Sequence, residues 1–285
     1  MRPPLIAVVG GINEDIVFRM PRAPGPGESC LADSMVKHPG GKGANIAMAA
    51  CRARDGLPGR DLASPVQPQL DTMDIFLNGA VGADERGARL LEHLKRGGVN
   101  VSHVHVMGGE ATATGMVMLE TAINDSRSFA YHGAMFSWRM PDSRTVSCLA
   151  SGDMPDIVVA NLTAPQDEVA KVFAAAARER AAMLFNPSPI QEIDGAMSTN
   201  LTHLILNQSE AAALRQLDTG LLKDQTDWFE TTAFFLRLGV SNVVLTLAAE
   251  GAYYATVGGT PSLVLAFVGS IKHEFFYLHH YFAAA

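Results

Sequence analysis

Gly40-Gly41-Lys42-Gly43-Ala44-Asn45 stands at the head of an alanine-rich stretch. Glycines there let a backbone approach a ligand closely, and exposed amides at a helix start bind hydroxyls or anions. Lys42 adds an ammonium and Asn45 an amide. The run is not a Walker A phosphate loop. Val36 stands five positions before Gly41, where that motif needs glycine, and Gly43 follows Lys42, where it needs Ser or Thr. A second polar cluster, Gly10-Gly11-Ile12-Asn13-Glu14-Asp15, follows the apolar run Leu5–Val9. A carboxylate at Asp15 accepts from two adjacent hydroxyls, and the Asn13 amide both donates and accepts. Together they suit a polyol such as a sugar. Each cluster also has a plainer reading. Gly, Asn and Asp are common in turns for local reasons, and by themselves Asn13 and Asp15 read better as a turn. The glycine run could be only a glycine-rich helix start, a reading that Lys42 and Asn45 weaken.

Two further clusters sit at strand ends. Asn207-Gln208-Ser209-Glu210 carries Asn and Glu three residues apart, a spacing that could hold hydrated Mg²⁺ near phosphates. The same spacing makes a capping box, with Asn207 as N-cap and Glu210 at N3, and from spacing alone the cap is favoured. Thr246-Leu247-Ala248-Ala249-Glu250-Gly251 follows an apolar run and leads into a hairpin at Ala252-Tyr253-Tyr254-Ala255. Small residues at a strand end can lie against an adenine or a phosphate, but every α/β sheet has such ends. The nine histidines form no H-x-x-x-H or H-E-x-x-H pattern.

Positioning these clusters requires alternating strands and helices. Apolar runs predict core strands at Leu5–Val9, Ile75–Val81, Ile157–Ala160, Met183–Phe185, Leu204–Leu206 and Val243–Leu247. Their unbroken apolar character suits a mostly parallel sheet covered on both faces. Helices are expected at Ala44–Ala53, Asp84–Arg96, Gln166–Ala182, Ser209–Leu217 and Asp227–Leu238. In the third, Val169, Val172, Phe173 and Ala176 share a face, Thr163 reads as the N-cap and Pro165 falls in the first turn. Residues 12–38 and 103–133 alternate in a β-like way without helices, as in Thr112–Leu119, and predict a small separate sheet. Residues 55–73, rich in Gly and Pro, read as a surface insertion.

Composition narrows the classes. A chain of 285 residues with 48% hydrophobic and 18% charged content can fill a sizeable core. Its net charge of −7, with no Lys/Arg cluster, argues against a nucleic-acid partner but not against a nucleotide. Cys30, Cys51 and Cys148 are odd in number and form no C-x-x-C pair, which reads as free thiols in a reducing compartment. No secretory signal pattern and no membrane-spanning apolar run is visible, so a cytoplasmic, or cytoplasmic and nuclear, location is expected with no membrane partner.

In order and spacing these segments resemble the ribokinase family of carbohydrate kinases. Gly10–Asp15 looks like its first strand and sugar-binding turn, and Pro24-Gly25-Pro26-Gly27-Glu28 like its P-x-P-G-E segment. Gly40–Asn45 looks like its first signature. Gly79-Ala80-Val81-Gly82-Ala83-Asp84 with Gly87 is similar to G-x-V-G-x-D-x-x-G, Phe185-Asn186-Pro187-Ser188-Pro189 to the N-P-A-P turn, and Asn207–Ala211 to N-x-x-E. The likeness runs over roughly residues 5–260. It implies a three-layer α/β/α sandwich with a mostly parallel sheet and a small β lid, built as one domain over residues 1–262. It also implies ATP- and Mg²⁺-dependent phosphorylation of a sugar hydroxyl, most simply D-ribose to D-ribose 5-phosphate. Asn13, Asp15, Gly41, Lys42, Gly43 and Asn45 would hold the sugar. Asn207, Thr246, Ala248, Glu250 and Gly251 would line the nucleotide site, with Glu210 meeting Mg²⁺ through water. A homodimer through the lid is a further implication.

Two departures accompany the likeness. The family places a sugar-touching glutamate where Asn161-Leu162-Thr163 puts Thr163, which changes what selects the sugar. The family also continues to D-T-x-G-A-G-D, whose last aspartate takes the hydroxyl proton, whose glycines form an anion hole and whose neighbouring loop binds K⁺. No such run occurs here. Residues 263–285 instead carry six of the chain's 20 aromatics, which reads either as a partner-binding segment or as unrelated sequence joined to a truncated kinase. The expectation is thus a sugar kinase by descent with its C-terminal part missing, its K⁺ site absent and its catalysis impaired. The alternatives are a non-catalytic sugar-binding or dimerising regulator and another sugar or nucleoside kinase.

Overall fold

The computed structural model describes residues 3–55, 73–123, 125–190, 201–218, 220 and 222–264. The surface insertion expected at 55–73 therefore lies almost wholly outside the described residues, and so does the aromatic tail from 265 onward. The described chain falls into two compact units, one running to residue 156 and including 163–168, the other comprising 157–162 and 169 onward.

In the first unit, β1 (Leu5–Val9), β4 (Asp74–Gly82) and β5 (Asn100–Met107) form parallel pairs in the order β1-β4-β5. Every residue of β4 after Asp74 is buried, as expected of a strand covered on both faces. Helix α1 (Lys42–Asp55) packs on β1 and β4, and α2 (Glu85–Arg96) packs on β4 and β5. A second sheet runs β3-β2-β6-β7, from β2 (Asn13–Met20), β3 (Ser34–Gly40), β6 (Ala113–Glu120) and β7 (Asp125–Tyr131). Its register sets Asn13 opposite Gly40 and Asp15 beside Gly115. The small sheet expected from 103–133 starts later than predicted, because residues 100–107 pair with β4 instead. As an edge strand β5 is only half covered, so its side chains alternate in the same way as those of the separate sheet.

Asp84 joins the two sheets of this unit. Its Oδ1 accepts from Gly87 N, capping α2, and from Thr112 Oγ1, while Oδ2 accepts from Thr112 N just ahead of β6. Burial works to raise its pKa. The Thr112 hydroxyl and N–H, the Gly87 N–H and the Arg86 charge outweigh burial and hold the carboxyl below its ordinary range. A depressed folded pKa adds stability above the unfolded value of about 4, and this is lost as pH falls through the folded value. Asp84→Ala is expected to cost about 1–2 kcal/mol in urea unfolding at pH 7, the usual cost of a lost N-cap, and the deficit should shrink below about pH 4.

In the second unit, β8 (Ile157–Asn161), β9 (Ala182–Asn186), β10 (His203–Asn207) and β11 (Asn242–Thr246) pair in parallel, and β12 (Ala252–Thr256) and β13 (Ser262–Val264) extend the sheet antiparallel. Helix α3 (Gln166–Glu179) buries Val169, Val172, Phe173 and Ala176, with the Phe173 ring edge-on to Phe185 at 5.2 Å. Burying each large apolar side chain contributes roughly 1.5–3 kcal/mol. Helix α4 covers Gln208–Leu214 and α5 covers Gln225–Arg237.

Helix ends differ from the sequence expectation where left-handed residues stop them. Gln216 at φ 56° lets Gln216 N and Leu217 N bond Ala213 O and Ala212 O, so α4 ends at Leu214. Arg180 at φ 58° ends α3 in the same manner before Ala182 opens β9. Helix α3 begins at Gln166, so Pro165 precedes its first turn.

Candidate active site

The chain crosses from β1 into β2 through Gly10, Gly11 and Ile12, and the first turn of α1 sits directly on this crossing. Ala44 N donates to Gly11 O at 3.1 Å, and Asn45 N to Gly41 O at 2.8 Å. Gly41 has φ +100°, the left-handed region glycine favours, and a Cβ there would meet the Gly11 carbonyl and lie 2.7 Å from Asn13 Oδ1. A Cβ at Gly43 would run into the Gly10 backbone. The two glycines are thus fixed by close approach, which the bare helix-start reading does not require. Thr163 Oγ1 accepts from Gly11 N at 2.6 Å, bringing a residue 152 positions away to the same crossing.

Asn13 and Asp15 are not in a turn. They open β2, with side chains on one face, and Asn13 Nδ2 donates to Asp15 Oδ1 at 2.5 Å. Asp15 is buried, while Asn13, Lys42 and Asn45 are half-buried. The sugar-site residues expected in this unit therefore gather around Gly10–Gly11: Asn13 and Asp15 on β2, Gly41 before α1, Lys42, Gly43 and Asn45 in its first turn, and Thr163. They offer one carboxylate, one ammonium, two amides and a hydroxyl against a buried, side-chain-free glycine backbone, a donor and acceptor mix suited to a polyol. Sequence reasoning passed over Gly115, which lies beside Asp15. A glycine inside a strand weakens it by roughly 0.5–1 kcal/mol relative to alanine and marks a close approach, the signal that could have singled it out.

In the second unit the capping box is present. Asn207 Oδ1 accepts from Glu210 N at 2.7 Å, and Glu210 Oε2 accepts from Asn207 N at 2.9 Å. Asn186 Nδ2 also donates to Glu210 Oε2, at 3.3 Å. Both bonds fall on Oε2, and Oε1 takes no hydrogen bond among the described residues. Thr246 lies opposite Asn207 in register, with its hydroxyl donating to Leu206 O at 3.3 Å. Beyond Thr246 the chain makes a short 3-10 turn over Ala248–Glu250, closed by Leu247 N donating to Gly251 O at 2.8 Å, with Gly251 at φ 102°. Asn207, Glu210, Thr246 and this turn thus cluster beyond the C-terminal ends of two adjacent parallel strands, where α/β sheets bind ligands. Glu210→Ala is expected to cost about 1 kcal/mol of stability through the cap, and Glu210→Gln, which keeps an acceptor, clearly less; thermal unfolding of the two variants checks this.

Among the described residues no group of three or more His, Cys, Asp and Glu could hold a metal, and no helix is long and apolar enough to cross a membrane. All three cysteines are free thiols, and burial raises the Cys51 thiol despite the neighbouring Arg54 charge.

Residues 3–269 match the sequence model of the family described as pfkB family carbohydrate kinase. A ribokinase of Schizosaccharomyces pombe is 28% identical over 270 residues, spanning 92% of this chain and 77% of its own. Among solved structures, a ribokinase of Arabidopsis thaliana complexed with ribose and ATP superposes with a TM-score of 0.74 at 23% identity, covering 95% of this chain and 80% of that one. A nucleoside kinase of Burkholderia thailandensis in complex with inosine superposes with a TM-score of 0.69 at 18% identity, covering 94% and 76%. At these identities the structural likenesses speak for the fold alone, an α/β architecture with a mostly parallel sheet and a small second sheet.

Proposed function

Because this chain belongs to the pfkB family of carbohydrate kinases, we propose that its first unit binds a pentose, D-ribose before others, and its second unit binds ATP. The observation that carries this reading is the Asn13–Asp15 pair set against the glycine-lined crossing. Asp15 would accept from two neighbouring sugar hydroxyls, Asn13 would donate to and accept from the same edge, and Lys42 and Asn45 would donate from the first turn of α1. Thr163, already accepting from Gly11 N, brings a hydroxyl where the family resemblance expects a carboxylate, so this side of the site would recognise sugar without adding negative charge.

For the nucleotide, the turn at Ala248–Gly251 and the end of β10 at Asn207 would hold ATP. Glu210 suits a hydrated Mg²⁺, because its Oε2 is fixed by two donors and its Oε1 remains for water. When bound, Mg²⁺ would neutralise phosphate charge during transfer. The 285 residues contain no D-T-x-G-A-G-D, so we read the polypeptide as a sugar kinase by family with its own turnover impaired. The segment where a base, an anion hole and a K⁺ site would be expected falls outside the described residues. A cytoplasmic setting fits the three free thiols.

A thermal-shift series tests the substrate reading. D-Ribose at 100 times its dissociation constant should stabilise the chain by about 2.7 kcal/mol. Adenosine stabilising instead of ribose would favour a nucleoside kinase, and no shift with any sugar or nucleoside would overturn the reading. A second reading, a sugar-binding dimer without chemistry, draws on the exposed Met35, Phe129 and Tyr131 of the second sheet. Light scattering after size exclusion distinguishes it, and a monomer at all concentrations would count against it.

A further inference from the structure

Gly115 lies in the interior of β6 with an ordinary extended backbone, since it is not among the glycines with positive φ. Its backbone therefore does not demand glycine. The space beside it does. A Cβ at Gly115 would overlap Asp15 Oδ1 and come within 3.3 Å of both Asp15 Cγ and Asn13 Nδ2. On the other flank of β2, Gly40 is also without positive φ, and a Cβ there would overlap Asp15 Oδ2 and lie 2.6 Å from Asp15 Cγ. The parallel register sets Gly115 directly beside Asp15, and the antiparallel register sets Gly40 opposite Asn13, two pairs along from Asp15 and so on the same face. One carboxylate is thus laid across three strands, each oxygen resting where a side chain would otherwise stand.

We propose that Gly115 is a positioning residue for sugar recognition, and that together with Gly40 it forms a slot that fixes the direction of the Asp15 carboxylate. This rests on the sugar-binding reading of Asp15. Without the slot the carboxylate would turn up from the sheet, and the Asn13 Nδ2 to Asp15 Oδ1 bond would break. With it, both oxygens lie flat, one held by Asn13 and one beside Gly40, which presents an acceptor pair in a fixed plane. Planar presentation of two acceptors selects adjacent hydroxyls over a single one. A glycine in mid-strand that serves neither turn nor bulge is explained by this use.

The test uses the full chain with substitutions Gly115→Ala, Asp15→Ala and both together. In equilibrium dialysis with D-ribose, Gly115→Ala should weaken binding at least about tenfold, as expected when a recognition group is displaced by near an ångström. Gly108→Ala is the control, since a Cβ there meets nothing within 4 Å, and its affinity should equal that of the unchanged chain. In the Asp15→Ala background the same Gly115 substitution should have no further effect. A Gly115→Ala chain that binds ribose like the unchanged chain overturns the proposal.

Thermal unfolding decides the point even if no sugar binds, an outcome that would defeat the functional reading separately. Gly115→Ala should lower the melting temperature when Asp15 is present and not when it is alanine. The entropic gain from replacing glycine is common to both backgrounds and cancels. If Gly115→Ala alone does not fold, restoration of folding by Asp15→Ala supports the slot. An equal loss in both backgrounds, or no restoration, overturns it.

Discussion

Asp15→Ala is expected to weaken D-ribose binding by about 10²-fold while leaving the fold intact. The magnitude follows from the bonds lost. A hydrogen bond to a charged group contributes about 1.5–3 kcal/mol, and each 1.4 kcal/mol is tenfold in affinity. Two sugar hydroxyls donating to one carboxylate would place the loss near the top of that range, because the deletion also leaves Asn13 Nδ2 without the acceptor it has in the free protein. The fold should tolerate the change, since the side chain rests between glycines and its removal creates space without a clash. Asp15→Asn keeps the shape and one acceptor but not the charge, and should lose about tenfold. Equilibrium dialysis measures both, with thermal unfolding run in parallel. Affinity within twofold of the unchanged chain for Asp15→Ala would remove Asp15 from the site.

The second large effect concerns turnover. With ATP, Mg²⁺, K⁺ and D-ribose, purified protein of these 285 residues should form ADP at about 10⁻³ to 10⁻¹ s⁻¹. That range takes the median enzyme turnover of about 10 s⁻¹ and removes the 10²–10⁴-fold that a general base usually supplies. Under the impairment proposal the rate should not recover at saturating ribose or ATP, because a general base and an anion hole act on the reacting hydroxyl and not on binding. A radiometric assay with labelled ATP reaches these rates. Turnover near 10 s⁻¹ would show that another group on this chain takes the hydroxyl proton, and the impairment reading would fall.

Much of the architecture was legible in the sequence. The strand expected at Leu5–Val9 forms with those bounds, and the other core strands form with ends within one residue, because unbroken apolar runs suit strands of a covered sheet; β4 and β8 are buried nearly throughout, while β9, β10 and β11 alternate buried and half-buried residues. The capping box at Asn207 and Glu210 was legible because capping depends only on local spacing. What the sequence hid was non-local. Thr163 looks like a local helix cap, yet its hydroxyl oxygen accepts from Gly11 N across 152 positions. Asn13 and Asp15 look like a turn because their residue types favour turns, while pairing with β3 and β6 draws them into a strand. Gly115 carries its meaning only through the carboxylate beside it in register. Left-handed stops at Arg180 and Gln216 were also invisible, since neither residue type announces positive φ.

The crossing at Gly10–Gly11, with Asn13, Asp15 and Lys42 around it, should bind sugar whether or not this polypeptide turns over. Isothermal titration of D-ribose into the full chain in the absence of ATP tests it most directly. One ribose should bind saturably per chain, and about 10²-fold more weakly in Asp15→Ala. A titration with only heats of dilution, from a protein whose cooperative unfolding shows it to be folded, would contradict it.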